Sequence, residues 1–193
     1  METQPSARDR LLDAVEVLIA TQGVASTPVD VILARAHVSP ATLYAHFGNK
    51  EGLIAHALER RLTRWDRIWQ ECAEIAQTPE DRVLSVFDAL VHQRDILGPS
   101  RWCTFLGVAA ETPVRGENLD AALTRDTELL TRRLEEFAQP LVGDALAGTA
   151  ARLVLLVYTG VLGMILRGDD MGKAVADGRG IAALALRSLG ADA

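Results

Sequence analysis

An all-α fold of about nine helices is what this sequence predicts, and three observations predict it. Apolar residues recur at three- and four-residue spacing through successive segments. No persistent alternation of apolar and polar residues is flanked by hairpin signals, so no strand is expected. Clusters of Gly, Pro and small polar residues at 21–28, 37–40, 48–50, 77–80, 98–100, 111–118, 139–144 and 168–171 cut the chain into nine segments.

The first helix follows from Leu11, Leu12, Val15, Leu18 and Ile19, spaced for one face. Thr27-Pro28 reads as an N-cap with Pro at the first helical position, opening a helix over about 29–36. His37-Val38-Ser39 is a tight three-residue turn. Ser39 caps the third helix, which starts on Pro40 and runs to about Phe47. Asn49 caps the fourth, whose stripe is Ile54, Leu58, Leu62, Trp65, Trp69, Cys72 and Ile75. The fifth to seventh helices lie between the next breaks, with 101–111 holding the sixth. The last two span about 144–167 and 171–189. The apolar run at 153–166, fourteen residues between Arg152 and Arg167, is short for a bilayer and suits a core helix.

Composition narrows the function classes. The chain has 193 residues, 49% hydrophobic and 24% charged, enough to bury a core. Twenty basic against 26 acidic residues give a net charge of −6, which excludes a generally basic nucleic-acid coat protein. Cys72 and Cys103 form no Cys-x-x-Cys pair, which argues against a disulfide framework, a zinc knuckle or an iron–sulfur cluster. The first 15 residues carry no apolar h-region. A soluble, reduced, cytoplasmic protein is expected, with no cofactor, no metal and no membrane partner.

Two short helices joined by a three-residue turn make a helix-turn-helix. On the second of them, Leu43 and Phe47 lie on one side, a turn apart, and should pack inward. Ala41 and Ala45 point away from that side, with Thr42 and His46 along one edge and Tyr44 along the other. Such a face can enter a major groove: alanine can touch a thymine methyl, and Thr, Tyr and His can donate to phosphates. Lys50 and the first amides of the fourth helix form an anion site. Spacing alone leaves two readings open, a DNA-reading head or a small packing unit with a polar face.

The string Val38-Ser-Pro-Ala-Thr-Leu-Tyr-Ala-His-Phe-Gly-Asn-Lys-Glu-Gly-Leu-Ile54 resembles the DNA-binding signature of the tetracycline-repressor (TetR) family of transcriptional regulators. About fifty residues, 7–57, follow that pattern, with His37 departing from the usual glycine. The resemblance implies a helix-turn-helix domain over 1–50 and a ligand-binding and dimerisation domain over 51–193. It implies DNA contacts from Thr27, Ser39, Pro40, Ala41, Thr42, Tyr44, Ala45, His46 and Lys50. Its partners are a double-stranded operator, a second copy of the chain, and a small-molecule effector. The regulator is usually a repressor on a near-palindromic site.

The head itself is not basic. Residues 1–55 hold four basic residues (Arg8, Arg10, Arg35, Lys50) and six acidic ones, so non-specific DNA affinity should be weak. Arg60, Arg61, Arg64 and Arg67 read better as a solvated face or as partners of Glu59, Asp66 and Glu71 than as DNA contacts.

In the body, Trp65, Trp69, Phe87, Trp102, Phe105, Phe137 and Tyr158, with His92 and Cys103, are the candidates for lining a mostly apolar effector pocket. Arg94, Asp95, Glu111 and Arg115 are further polar candidates. Each aromatic is individually as well explained as core. Asp88, His92 and Asp95 have metal-like spacing but suit a solvated face. Either cysteine reads as a buried thiol before a redox sensor. In the last two helices, Gly160 and Gly163 leave room for another helix, and Leu153, Val157, Ile181, Leu184 and Leu189 supply contact area. The resemblance makes this pair the homodimer interface; without it an intrachain core serves equally. Enzyme signatures are missing: there is no His-Glu-x-x-His, no Gly-x-Ser-x-Gly, and the 168–173 segment falls short of a phosphate loop. The rival class is a helical ligand-binding protein or enzyme with a degenerate head.

Overall fold

The computed structural model describes residues 5–97 and 103–191. Among the described residues there are nine α-helices and no strand. They are α1 Ala7–Gln22, α2 Val29–Ala36, α3 Pro40–Phe47, α4 Lys50–Glu74, α5 Pro79–Leu97, α6 Thr104–Glu111, α7 Glu117–Val142, α8 Asp144–Leu166 and α9 Met171–Ala191. The all-α expectation therefore holds.

Most boundaries are set by local chemistry. The Ser6 hydroxyl accepts from the Asp9 amide (3.1 Å) and opens α1. Ser39 accepts from the Thr42 amide (3.3 Å) and, with Pro40 at the first turn, opens α3. The Asn49 Oδ1 accepts from the Gly52 amide (2.7 Å) and caps α4. His37 closes α2 at φ 53°, ψ 51°, its amide donating to Ala34 and Leu33 carbonyls. Two boundaries differ from expectation. Thr27 does not cap α2 with its side chain, and the helix starts at Val29 behind Pro28. The seventh helix runs on through Pro140 to Val142, without the one backbone bond that Pro140 cannot donate.

The chain divides into two compact units. One comprises Met1–Thr63 and Ser100–Asp126. Its core gathers Leu11, Val15 and Leu18 of α1, Ile32 of α2, Leu43 and Phe47 of α3 and Leu53 and Leu58 of α4. Phe105 and Val108 of α6 and Leu119 of α7 join them. The other comprises Arg64–Pro99 and Thr127–Ala193. There α8 and α9 pack on each other and on α5. Trp69 and Phe87 are its largest fully buried side chains. The Trp69 indole N–H donates to the Ser85 hydroxyl (3.0 Å), which donates on to the Arg82 carbonyl (2.7 Å). A buried polar tip is thereby satisfied rather than stranded.

A two-residue link, Gly48-Asn49, folds α4 back so tightly that Gly52 meets the end of α3. A Cβ there would lie 2.2 Å from the Phe47 carbonyl oxygen, an atom that cannot swing away. Gly52→Ala should therefore lower unfolding free energy by about 2 kcal/mol or more. Urea denaturation followed by circular dichroism checks this; an unchanged midpoint would contradict the close approach.

Candidate nucleic-acid interface and body sites

The inward side of α3 is anchored first. Leu43 and Phe47 are buried in the head core. Phe47 meets the His56 ring edge-on (5.4 Å, 71°), and the Arg8 guanidinium lies 5.6 Å from its centroid. The outward side is what remains. Ala41, Ala45 and His46 are exposed, Tyr44 is 54% exposed, and Thr42 is half-exposed beside exposed Ser39 and Pro40. The Ser39 and Thr42 hydroxyls share a hydrogen bond at 2.9 Å. The helix thus presents two methyl groups, a phenol, an imidazole and a hydroxyl pair on one rigid surface.

Two of the expected contact residues are turned inward. Thr27 is 0% exposed, its hydroxyl donating to the Gly23 carbonyl (2.6 Å) and its amide to Val24 (3.2 Å). It braces the α1–α2 turn and is withdrawn as a phosphate contact. The Lys50 ammonium donates to the Val24 carbonyl (2.8 Å). Partial burial lowers its pKa, and Glu111 nearby raises it. Its charge is engaged within the head.

Arg10, Arg60 and Arg125 of this unit are similarly committed. The Arg10 Nε donates to the Ala36 carbonyl (3.0 Å), closing the end of α2. Arg60 bridges Asp13 (2.7 Å) and Glu16 (2.6 Å) of α1, not the α4 acids expected for it, and Arg125 pairs with Glu59. One α4 acid and one at the end of α6 also carry contacts that spacing did not reveal. Glu51 accepts from the Gly116 amide, and Glu111 accepts from the Ala25 amide (2.8 Å). Glu111 had been a candidate for orienting an effector, but it faces the α1–α2 turn. Arg115, another such candidate, bonds Asp120 (2.8 Å).

The effector candidates separate. Trp65, Trp69, Phe87 and Tyr158 are all buried in the second unit. Tyr158 lies between Trp65 (6.2 Å) and Phe87 (6.3 Å), and Trp65 reaches Trp69 (6.0 Å). Phe137 meets Trp69 edge-on (5.9 Å, 85°), with the Arg133 guanidinium 5.3 Å from the indole. His92 does not join this cluster: it is exposed on α5, because its helix faces Ala89 and Leu90 inward. Asp88 faces Arg179 (3.7 Å). Phe105 is buried in the first unit's core, and Trp102 lies outside the described residues. Burial and the neighbouring Asp126 carboxylate push the Cys103 thiol up to about 11, which leaves little reactive thiolate. A groove of about 410 Å³ between the ends of α4 and α7 and the start of α5 is lined by Ala73, Gln77, Thr78, Arg82, Phe137 and Pro140. Of the expected effector residues, Phe137 lines it, while Trp65, Trp69, Phe87 and Tyr158 do not.

Asp126 escaped notice in the sequence. It occupies the stripe of α7 otherwise made of Leu119, Ala122, Leu123 and Leu130. Burial pushes it from the usual 3.8 up to about 7. The folded state therefore holds a proton that the unfolded chain has released, and this contribution to stability is lost as pH rises from about 4 to about 7. Asp126→Asn should raise unfolding free energy by about 1–2 kcal/mol at pH 8 and leave it unchanged near pH 3. Urea midpoints at the two pH values check this; equal effects at both would refute the assignment.

Comparison with known proteins agrees with this geometry. Residues 11–57 match the family model described as bacterial regulatory proteins, tetR family. An uncharacterized HTH-type transcriptional regulator of Mycobacterium tuberculosis is 31% identical over 112 residues, 58% of this chain and 54% of its own length. The HTH-type transcriptional regulator BetI of Brucella canis is 28% identical over 109 residues, 54% of each protein. The chain thus spans about half the length of these curated relatives. Its fold is that of a TetR-family transcriptional regulator from Streptomyces coelicolor, with TM-score 0.83 and 24% identity over 95% of this chain and 96% of that one. The reduced form of NemR from Escherichia coli aligns with TM-score 0.71 and 18% identity, over 89% and 94%. Residues 11–57, which hold the helix-turn-helix, thus match the model of the tetR family of bacterial regulatory proteins, and the chain shares the fold of a solved TetR-family regulator.

Proposed function

We propose that this protein is a ligand-responsive transcriptional regulator that binds a near-palindromic operator as a homodimer. The observation that carries the reading is the outward face of α3. Ala41, Thr42, Tyr44, Ala45 and His46 are displayed by a helix whose other side is locked into the head by Leu43 and Phe47. Rigid display of small and donor-bearing side chains is what groove entry needs. Ser39 and Pro40 at the helix start lie where backbone contacts fix register. Two alanines offer few hydrogen bonds to bases, so DNA shape contributes to selectivity. Repression is the favoured sign; the KstR transcriptional repressor of Mycobacterium tuberculosis is 32% identical over 82 residues. DNA binding places the protein in the cytoplasm.

The dimer reading rests on α8 and α9. Leu156, Met164, Ile181 and Leu184 are exposed, the last two by 57% and 68%. A Cβ on Gly160, Gly163 or Gly180 would meet nothing within 4 Å, so these helices offer flat ground for a partner helix. By length and composition α8 could cross a membrane, but only 33% of its most apolar stretch is buried within the chain. A second copy covering that stretch accounts for its apolarity in a protein that must reach DNA. Trp65, Trp69, Phe87 and Tyr158 favour an effector that is largely apolar. Linkage then requires that effector and operator weaken each other's binding by the same factor.

Selection from random DNA by the purified protein should enrich a palindrome. Tyr44→Ala should weaken binding to it by at least about tenfold with unchanged helical content; full retention of affinity would overturn the DNA reading. Leu184→Glu should convert the dimer to a monomer in sedimentation velocity and lower operator affinity by more than about tenfold. A dimer that survives it unchanged would move the interface elsewhere.

A further inference from the structure

The six residues between α1 and α2 are held by two helices that are remote in sequence. The turn begins at Gly23, with φ +84°, and ends at buried Thr27. From the start of α4, the Lys50 ammonium donates to the Val24 carbonyl (2.8 Å). From the last residue of α6, the Glu111 carboxylate accepts the Ala25 amide (2.8 Å). The two side chains also face each other as opposite charges on the same turn. Gly23 makes the approach possible: a Cβ there would stand 2.3 Å from the Glu111 Oε1. The notch is therefore shaped for this carboxylate.

The rest of α6 packs within the same unit. It lies on α1, with Thr104, Gly107 and Val108 against Ile19, Ala20 and Val24 around a cavity of about 10 Å³. The buried Thr104 hydroxyl finds no hydrogen-bond partner there among the described residues. That joint is less completely bonded than the carboxylate seat at its end. Just beyond α6, the Gly116 amide donates to Glu51, the neighbour of Lys50. These contacts tie α6 to the backbone that leads into α2, and α2 joins α3 through the three-residue turn.

We propose that Glu111 is a positioning residue for DNA binding: seated in the Gly23 notch and holding the Ala25 amide, it fixes the α1–α2 turn and passes the position of α6 to the helix-turn-helix. This rests on the DNA-binding reading above. A carboxylate–amide bond of this kind is worth about tenfold in an equilibrium.

The test uses the full chain, with amide hydrogen exchange at Ala25 and affinity for the DNA site selected by the native protein. Glu111→Ala should speed Ala25 exchange at least about tenfold and weaken DNA binding about tenfold, at unchanged helical content. Glu111→Gln keeps an acceptor oxygen and should restore both readings to within about threefold of native. Should Glu111→Ala lose helical content, Glu111→Asp, which shortens the reach by one methylene, takes its place with the same expectations. Unchanged exchange at Ala25 would overturn the proposal, and so would faster exchange with native DNA affinity. Failure of the native protein to select any site would overturn the DNA-binding reading instead. The two failures are separable, since the exchange measurement needs no DNA.

Discussion

Everything the head can do depends on burying Leu43 and Phe47. An eight-residue helix is too short to persist alone in water, so α3 exists because its inner side is part of a core. That burial also settles which side faces out, since rotation about the helix axis would expose two large apolar side chains. The tight return of α4 reinforces it: Gly52 lies against the Phe47 carbonyl, and Asn49 bonds the Gly52 amide. The exposed face is therefore a consequence of packing, with no cost in strain at the residues that would touch a groove. What strain the motif holds sits at His37, in the left-handed region, away from that face.

The electrostatics of the head follow from the same economy. Arg8, Arg10 and Lys50 are three of its four basic residues, and each is engaged with an internal partner: a ring, a helix end or a turn carbonyl. Arg60 spans to two acids of α1. The cations serve the shape of the domain before they serve any ligand. A duplex meeting this surface would encounter little uncommitted positive charge, so binding would rest on fit and on a few placed donors. Such a balance trades general affinity for a smaller dependence on salt.

How much of this was legible in the sequence depends on the range of the interaction. Ser39-Pro40 and Asn49 act on amides within four residues, so their roles could be read from order alone, and α3 and α4 begin where they indicate; the left-handed place of His37 was marked by the glycine usual in the family pattern. The face of α3 follows from helical geometry, and its buried and exposed residues are those the spacing implies. Thr27 and Lys50 misled because family position says nothing of rotamer: a threonine that braces a turn and one that meets a phosphate look alike in a string. Glu111 and Ala25 are separated by 86 positions, and no local pattern joins them. Asp126 was hidden for a related reason. One carboxylate on a leucine stripe reads as an ordinary interruption until the burial around it is known. The aromatic residues were recognisable as a set, and Trp65, Trp69, Phe87 and Tyr158 do cluster. His92 could not be separated from them without the orientation of α5.

The open flank of α8 has a consequence for the life of the chain. Leu156 and Met164 are uncovered there, beside glycines at 160 and 163. Under the proposed homodimer, the second copy that covers this flank would help to hold the fold together, and the free energy of folding would include a concentration term. The melting temperature would then rise with the amount of protein present, and dilution alone would be a denaturing influence. In a cell, scarce copies would be the ones most open to proteolysis, and abundant copies would protect one another. The steady level of the protein would then respond more than proportionally to its rate of synthesis.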